Sequence, residues 1–174
     1  MGIFREYDIR GIVAYDLGPD VVERIGRAYA TLARARGVHN VAVGRDGRLT
    51  SPALRDHLVA GLTSSGVNVL DLGLCATPLL YFSLFSCDVD GGIMITGSHN
   101  ASEYNGFKMC IGREALYGAD IQELQVIYES GEFASGSGTV LPQSIIPEYL
   151  KFLQEHFSLL RAQGLRVVID CGNG

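Results

Sequence analysis

Positive charge is the first thing this sequence is short of. Fourteen Lys and Arg stand against nineteen Asp and Glu, a formal net charge of −5 over 174 residues. A nucleic-acid-binding face normally shows as a basic excess, so nucleic acid is not the expected partner. Lysine itself is scarce: Lys108 and Lys151 are the only two, and the other basic residues apart from histidine are all arginine. The four cysteines, Cys75, Cys87, Cys110 and Cys171, make no CxxC pair and have no partnering histidines. That argues against zinc and for reduced core residues over a disulfide framework. Long apolar runs are missing too. Leu79 to Phe85 is the most apolar segment, far short of the roughly 20 residues that span a bilayer. The N-terminus is charged early, and Glu6 stands where a myristoylation motif needs Ser or Thr. No membrane partner is expected, and the chain reads as a cytoplasmic globular protein of ordinary composition.

Glycine is abundant, at 22 residues against a usual share of roughly 7%. Many of these glycines close strand-like runs, which suits tight turns and equally suits loops whose backbone approaches a ligand. Apolar periodicity places a helix from Pro19 to Gly37 on Val22, Ile25, Tyr29 and Leu32. A strand follows at Val41–Val43, then a helix capped by Ser51 and started by Pro52, with Leu54, Leu58 and Leu62 on one face. Val67 to Leu72 alternates as a strand. Thr77-Pro78 starts a helix apolar nearly all round, expected to be buried. A further helix spans Ala119 to Tyr128, and Gly131 to Gly138 reads as a flexible surface loop. Pro147 opens a last helix with Leu150, Leu153, Phe157 and Leu160 on one side, and Arg166 to Asp170 reads as a new strand. The predicted fold is α/β: a mixed, mostly parallel sheet with helices on both faces and one antiparallel strand.

The antiparallel strand comes from the most informative segment, Ile93 to Lys108. Ile93-Met94-Ile95 reads as a buried strand ending at Gly97, and Asn105-Gly106 opens a second strand, Phe107 to Ile111. The gap between them is too short for a parallel crossover, which needs about a dozen residues. The second strand must therefore run back, which is expected to bring Lys108 beside Ser98 at one end of the sheet. In mostly parallel sheets, ligands gather at the carboxyl ends of the strands. The loops Gly44–Arg48, Gly73–Pro78 and Gly97–Asn100 should share that edge, with Arg45, Arg48, Ser98, His99 and Lys108 converging on it.

Each of these residues also has an ordinary reading. Ser98 stands where a turn or cap serine is common. The G-x-S-x-G elbow of serine hydrolases fails, because Asn100 replaces the second glycine. His99 is a poor base for its neighbour if the backbone is extended, since adjacent side chains then point to opposite faces. Phosphoryl transfer fits better, because it asks mainly for positioning and positive charge around an oxygen. Where arginine is the default cation, Lys108 suggests an amine that must lose its proton, though a solvated strand-edge lysine is equally open. Arg5, Tyr7, Asp8 and Arg10 either present two arginines to an anion or decorate an ordinary first strand. Arg45-Asp46-Gly47-Arg48 is most often a plain charged turn.

Taken in order, FREYDIRG, VGRDGR, LCATPLLYF, TGSHNASEYNGFK, LYGADIQEL and VVIDCGNG resemble the α-D-phosphohexomutases, most closely the bacterial phosphomannomutase/phosphoglucomutase branch. Each piece alone is weak, whereas the ordered series is specific. Ala101 departs from the family pattern, which usually has Pro there; the change should loosen the loop slightly. The resemblance implies a four-domain enzyme, of which residues 1–161 are domain I and 162–174 the first strand and turn of a truncated domain II. It implies that Ser98 is a phosphoserine passing a phosphoryl group to a hexose phosphate (mannose or glucose) through a bisphosphorylated sugar. Lys108 would be the general acid/base, Arg10 would stabilise charge, and His99 would shape the loop. Tyr7, Arg45 and Asn100 would bind substrate. Magnesium (Mg2+) would sit on the Ser98 phosphate and on aspartates of domain II, so this chain alone should be nearly inactive. A serine-nucleophile phosphatase or esterase and a non-catalytic sugar-phosphate-binding module are the alternatives. Self-association through an exposed face at Val167 to Ile169 is also expected.

Overall fold

A computed structural model describes residues 2–157 and 164–170. The elements follow the changes of apolar period along the chain. They are β1 (Ile9–Ile12), α1 (Val13–Asp16), α2 (Pro19–Ala35), β2 (Asn40–Arg45), α3 (Ser51–Ser64), β3 (Asn68–Leu74), α4 (Thr77–Ser86), β4 (Gly91–Ile95), β5 (Tyr104–Ile111), β6 (Glu114–Ala115), α5 (Ala119–Ser130), β7 (Val140–Pro142) and α6 (Ile146–Phe157). Helix α2 shows the logic. Pro19 supplies a pre-set φ in its first turn, Val22, Ile25, Tyr29 and Leu32 are buried, and the chain turns out of the helix at Gly37 with φ +80°.

The strands form one sheet in the order β1-β5-β4-β2-β3-β7, with β6 added on β5. Strands β2, β3, β4 and β7 are mutually parallel. Only β5 runs the other way, antiparallel to β4, β1 and β6. The short link between β4 and β5 forces that reversal, as the spacing predicts. Every residue of β4 is buried, the pattern of a strand covered on both faces. Alternate residues divide between two cores. Val41, Val43, Ile93, Ile95 and Phe107 pack with α2, α3 and α5. Ala42 and Met94 pack on the other side with Leu79 and Leu80 of α4 and with Ile145. Each large aliphatic side chain so buried contributes about 1.5–3 kcal/mol.

Several elements differ from expectation. Thr50, not Ser51, is the N-cap of α3, and the Ser51 hydroxyl donates instead to Asp46 Oδ1 at 2.6 Å. Helix α4 is only half buried, with Phe85 and Tyr81 facing solvent, because it covers the sheet from outside and α6 shields only part of it. The glycine-rich stretch after α5 is strapped down: the amides of Gly136 and Gly138 donate to Ser64 and Thr63 carbonyls, and Arg34 donates to Ser135 O. Phe133 lies under the guanidinium groups of Arg24 and Arg27. Strands β6 and β7 are short and leave little periodic signal. Residues 165–170 are exposed and carry no strand pairing, so no strand is seen at Arg166–Asp170. Leu160 and Cys171 lie outside the described residues. Cys75 and Cys110 are buried and free, as expected, and burial pushes the Cys110 thiol up to about 11.

Helices α2 and α3 touch backbone to backbone at a pair of glycines. A Cβ on Gly61 would stand 2.1 Å from the Glu23 carbonyl oxygen, and one on Gly26 2.4 Å from the Leu58 oxygen. Helix propensity alone favours Gly61→Ala by about 1 kcal/mol. The clash with rigid backbone is larger, so the variant is expected to lose about 1–3 kcal/mol net, read as a lowered urea midpoint.

Candidate functional site

Strands β2, β3 and β4 end on one edge, and there the link between β4 and β5 forms a loop around Ser98. The backbone at Ser98 is left-handed, with φ 53°, the single non-glycine residue of positive φ among those described. That conformation costs an L-residue on the order of 1–2 kcal/mol, so the surroundings must enforce it. The Ser98 amide donates to Thr96 Oγ1 at 2.8 Å, and the Asn100 amide donates to the Gly97 carbonyl at 3.0 Å. The left-handed turn also brings neighbouring side chains together: Ser98 Oγ lies 3.3 Å from His99 Nδ1. The opposite-face expectation for His99 fails because the backbone is not extended here.

Arg48, which leads into α3, holds this loop. Its Nη1 donates to the carbonyls of Ala101 at 2.7 Å and Tyr104 at 3.1 Å. Its Nη2 donates to those of Asn100 at 2.7 Å and Ser98 at 3.1 Å. The guanidinium packs against Gly97, where a Cβ would stand 2.5 Å from Cζ, so any side chain there would push Arg48 off its carbonyl partners. Nε sits 3.3 Å from Asp46 Oδ2, close enough for an ion pair but without hydrogen-bond alignment. Arg48 thus converges on the Ser98 edge as expected, with its guanidinium donors taken up by the chain's own carbonyls.

Asp46 braces the other side. It accepts from Ser51 Oγ, from the Arg48 amide at 3.1 Å and from the Gly97 amide at 3.3 Å. Burial works against its charge, but the hydrogen bonds from Ser51, the Arg48 amide, Thr96 and the Gly97 amide prevail and hold its carboxyl below the ordinary aspartate value. Buried Asn105 ties the start of β5 to this brace, donating to Thr50 Oγ1 and Ser51 Oγ at 3.0 Å each. Above these groups opens a cleft of ≈ 700 Å³, lined by Arg48, Thr50, Ser98, His99 and Asn100 among others. The Ser98 and His99 side chains are exposed at its mouth.

Lys108 is not beside Ser98. The register pairs it with Met94, four residues earlier on β4, because the loop between them takes up the intervening length. Its Nζ lies 3.3 Å from Asp8 Oδ2. The same oxygen pairs with Arg10 Nη2, and Arg10 Nη1 reaches Asn100 Oδ1 at 3.3 Å. A polar chain thus runs from Lys108 through Asp8 and Arg10 to the Ser98 loop. Lys108 lines a separate recess of ≈ 290 Å³ with Tyr7, Tyr81 and Tyr117. Tyr7 is exposed and stacks on Tyr117 with ring centroids 6.5 Å apart. Arg45 sits at the end of β2, half-buried, outside both cavities, and its expected convergence on the Ser98 cleft is not seen: register pairs it with Ile95, short of the loop.

The structure thus brings Ser98, His99, Asn100 and Arg10 into one neighbourhood, and sequence reasoning gave no role to two carboxylates, Asp46 and Asp8, that brace it. Both flank an arginine in the sequence, in Arg45-Asp46-Gly47-Arg48 and in Asp8-Ile9-Arg10. That pairing of acid and base is the only local signal. Among the described residues there is no cluster of three or more His, Cys, Asp or Glu arranged to hold a metal. No helix among them is long and apolar enough to cross a membrane.

Residues 1–135 match the family described as phosphoglucomutase/phosphomannomutase, alpha/beta/alpha domain I. A phosphoglucomutase of Neisseria meningitidis serogroup B is 46% identical over 174 residues, covering 99% of this chain and 37% of the relative. A phosphomannomutase/phosphoglucomutase of Pseudomonas aeruginosa is 43% identical over 172 residues, again covering 99% of this chain and 37% of the relative. Among solved structures, a phosphoglucomutase/phosphomannomutase family protein from Burkholderia thailandensis superposes with TM-score 0.85 at 39% identity, over 88% of this chain and 35% of that one. The chain therefore spans about 37% of the length of these curated relatives.

The brace at Asp46 has a pH signature. Its folded carboxyl titrates below the unfolded one, so its contribution to stability is present above the ordinary aspartate value and lost as pH falls through the folded one. Asp46→Asn is expected to lower the urea midpoint at neutral pH and to flatten the acid limb of stability against pH. An acid limb identical to that of the unsubstituted chain would show that Asp46 carries no linked charge.

Proposed function

Because this chain belongs to the phosphoglucomutase/phosphomannomutase family, as its domain I, we propose that Ser98 is the phosphoryl carrier of a hexose-phosphate mutase. The observation that carries the reading is the Ser98 hydroxyl, held in a strained left-handed turn at the mouth of an open cleft. Strain of this kind concentrates at functional positions. In the forward step the bond between Ser98 Oγ and phosphorus breaks while a sugar hydroxyl oxygen bonds to phosphorus. The sugar hydroxyl's proton passes to Lys108 in its neutral amine form, and the Ser98 oxygen leaves as the alkoxide and takes a proton from solvent at the cleft mouth, where Ser98 is exposed. The bisphosphorylated sugar then turns and returns its other phosphoryl group to Ser98.

Substrate would span from the Ser98 cleft to the recess of Lys108, with the Asn100–Arg10–Asp8 chain along the way. Arg10 would meet charge developing on the phosphoryl oxygens, and Tyr7 would offer a ring face to the sugar beside Lys108. A divalent cation, magnesium in this reading, fits this chain only in part. Ser98's phosphoryl oxygens would be its ligands here, and the remaining carboxylates would come from a second domain. Such an ion neutralises phosphoryl charge when bound. Substrates would be glucose or mannose phosphates, met in the cytoplasm. A hydrolase reading is weaker, because His99 has no second side-chain partner among the described residues to orient it as a base.

In a protein that carries the remaining domains, Ser98→Ala is expected to lower turnover of hexose 1-phosphate by at least about a thousandfold. Intact-mass spectrometry followed by peptide mapping should place one phosphoryl group on Ser98 of the unsubstituted protein. Retained turnover in the variant, or a phosphoryl group mapped elsewhere, would reject the proposal.

A further inference from the structure

Asp8 is buried, yet neither the reaction scheme nor the packing of β1 calls for a carboxylate there. Its side chain is 8% exposed, against 28% for Arg10 and 32% for Lys108. One oxygen, Oδ2, receives both cations: Lys108 Nζ at 3.3 Å from β5, and Arg10 Nη2 from β1. Asp8 itself is fixed by its backbone, since its carbonyl accepts from the Arg5 amide at 2.9 Å and the next residue, Ile9, begins the pairing with β5 opposite Phe107. Burying a carboxylate is costly, and a buried ion pair often adds no more stability than an apolar replacement of similar size. Fold stability alone is a poor reason for an acid at this position.

Geometry offers a better one. An ammonium and a guanidinium held near each other repel, and both long side chains have many rotamers. A shared anion cancels the repulsion and fixes both nitrogens against one rigid point on the sheet. Arg10 then hands the constraint on to Asn100, two residues past Ser98.

We infer that Asp8 is a positioning residue that gathers Lys108 and Arg10 into one unit and sets their placement relative to the Ser98 loop. The inference rests on the phosphoryl-transfer reading for its purpose, but the ion-pair unit can be tested without any turnover. Lys108 and Lys151 are the only lysines, and Lys151 lies on α6 with its side chain 76% exposed. Acylation of the folded chain with limiting acetic anhydride, followed residue by residue with mass spectrometry, therefore has a built-in reference. An amine held at 3.3 Å against a buried carboxylate is less open to the reagent than Lys151, which has only exposed Glu155 at 3.9 Å, and so it acylates more slowly.

With Asp8→Asn, the Lys108 to Lys151 rate ratio is expected to rise about threefold, the scale of a partly exposed ion pair. Asp8→Glu, which keeps the charge, should restore most of the slow rate. Arg10→Gln leaves the carboxylate to Lys108 alone and should lower the ratio, an opposite sign that holds the test open if Asp8→Asn fails to fold. An unchanged ratio in Asp8→Asn, or equal acceleration at both lysines, would overturn the inference and leave Asp8 a structural residue. Failure of the Ser98 assay with the ratios as expected would reject the mutase reading and keep the ion-pair unit.

Discussion

The guanidinium of Arg48 donates to the carbonyls of Ser98, Asn100, Ala101 and Tyr104, and the geometry of the whole carboxyl edge depends on that contact. A loop that leaves a sheet edge carries carbonyls with no ladder partner, and such groups must find donors. Water would satisfy them without fixing their positions. A planar fork with five N–H groups both satisfies and fixes them. The approach is possible because Gly97 has no side chain to hold the guanidinium away. It is aimed because Asp46 anchors the arginine on one side and the Gly97 amide on the other.

From this clamp follow the features that give the edge its chemistry. Closing the loop onto Arg48 forces Ser98 into the left-handed region, which turns its hydroxyl out to the cleft and toward His99. The strand reversal that makes the loop also makes β5 the one strand opposed to all its neighbours, and β1 can then join it antiparallel. That pairing delivers Asp8 and Arg10 to the neighbourhood of Lys108 and Asn100. Serine and lysine are thus placed by the same reversal but not side by side. A polar relay of Asp8 and Arg10 lies along the distance between them, and in this family reading a sugar phosphate would cover the same ground.

Local sequence carried the parts that local physics decides. The gap between Ile95 and Tyr104 is too short for a crossover, so the reversal was legible, and the periods of Val22–Leu32 and Leu54–Leu62 gave α2 and α3. What stayed hidden depends on contacts distant along the chain. Arg48 reads as one more charge in a turn until the carbonyls of residues 98–104 are seen around it. Ser51 reads as a cap because nothing local announces that Asp46 and Asn105 will claim its hydroxyl. Lys108 was expected one loop-length too close to Ser98, since the sequence fixes the turn's existence and not its register. The Gly/Ser stretch after α5 looked free because its restraints, Arg34, Ser64 and Thr63, lie far upstream.

Amide hydrogen exchange on Arg48→Lys tests the clamp most directly. Lysine keeps the charge but loses the fork, so it can serve one or two of the four carbonyls. The account requires faster exchange at the Ser98, Asn100 and Tyr104 amides, whose acceptors are Thr96 Oγ1 and the Gly97 and Ala101 carbonyls, with the amides of β2, β4 and α2 unchanged. Protection at those three amides equal to that of the unsubstituted chain would contradict it, because the serine loop would then hold its shape without Arg48.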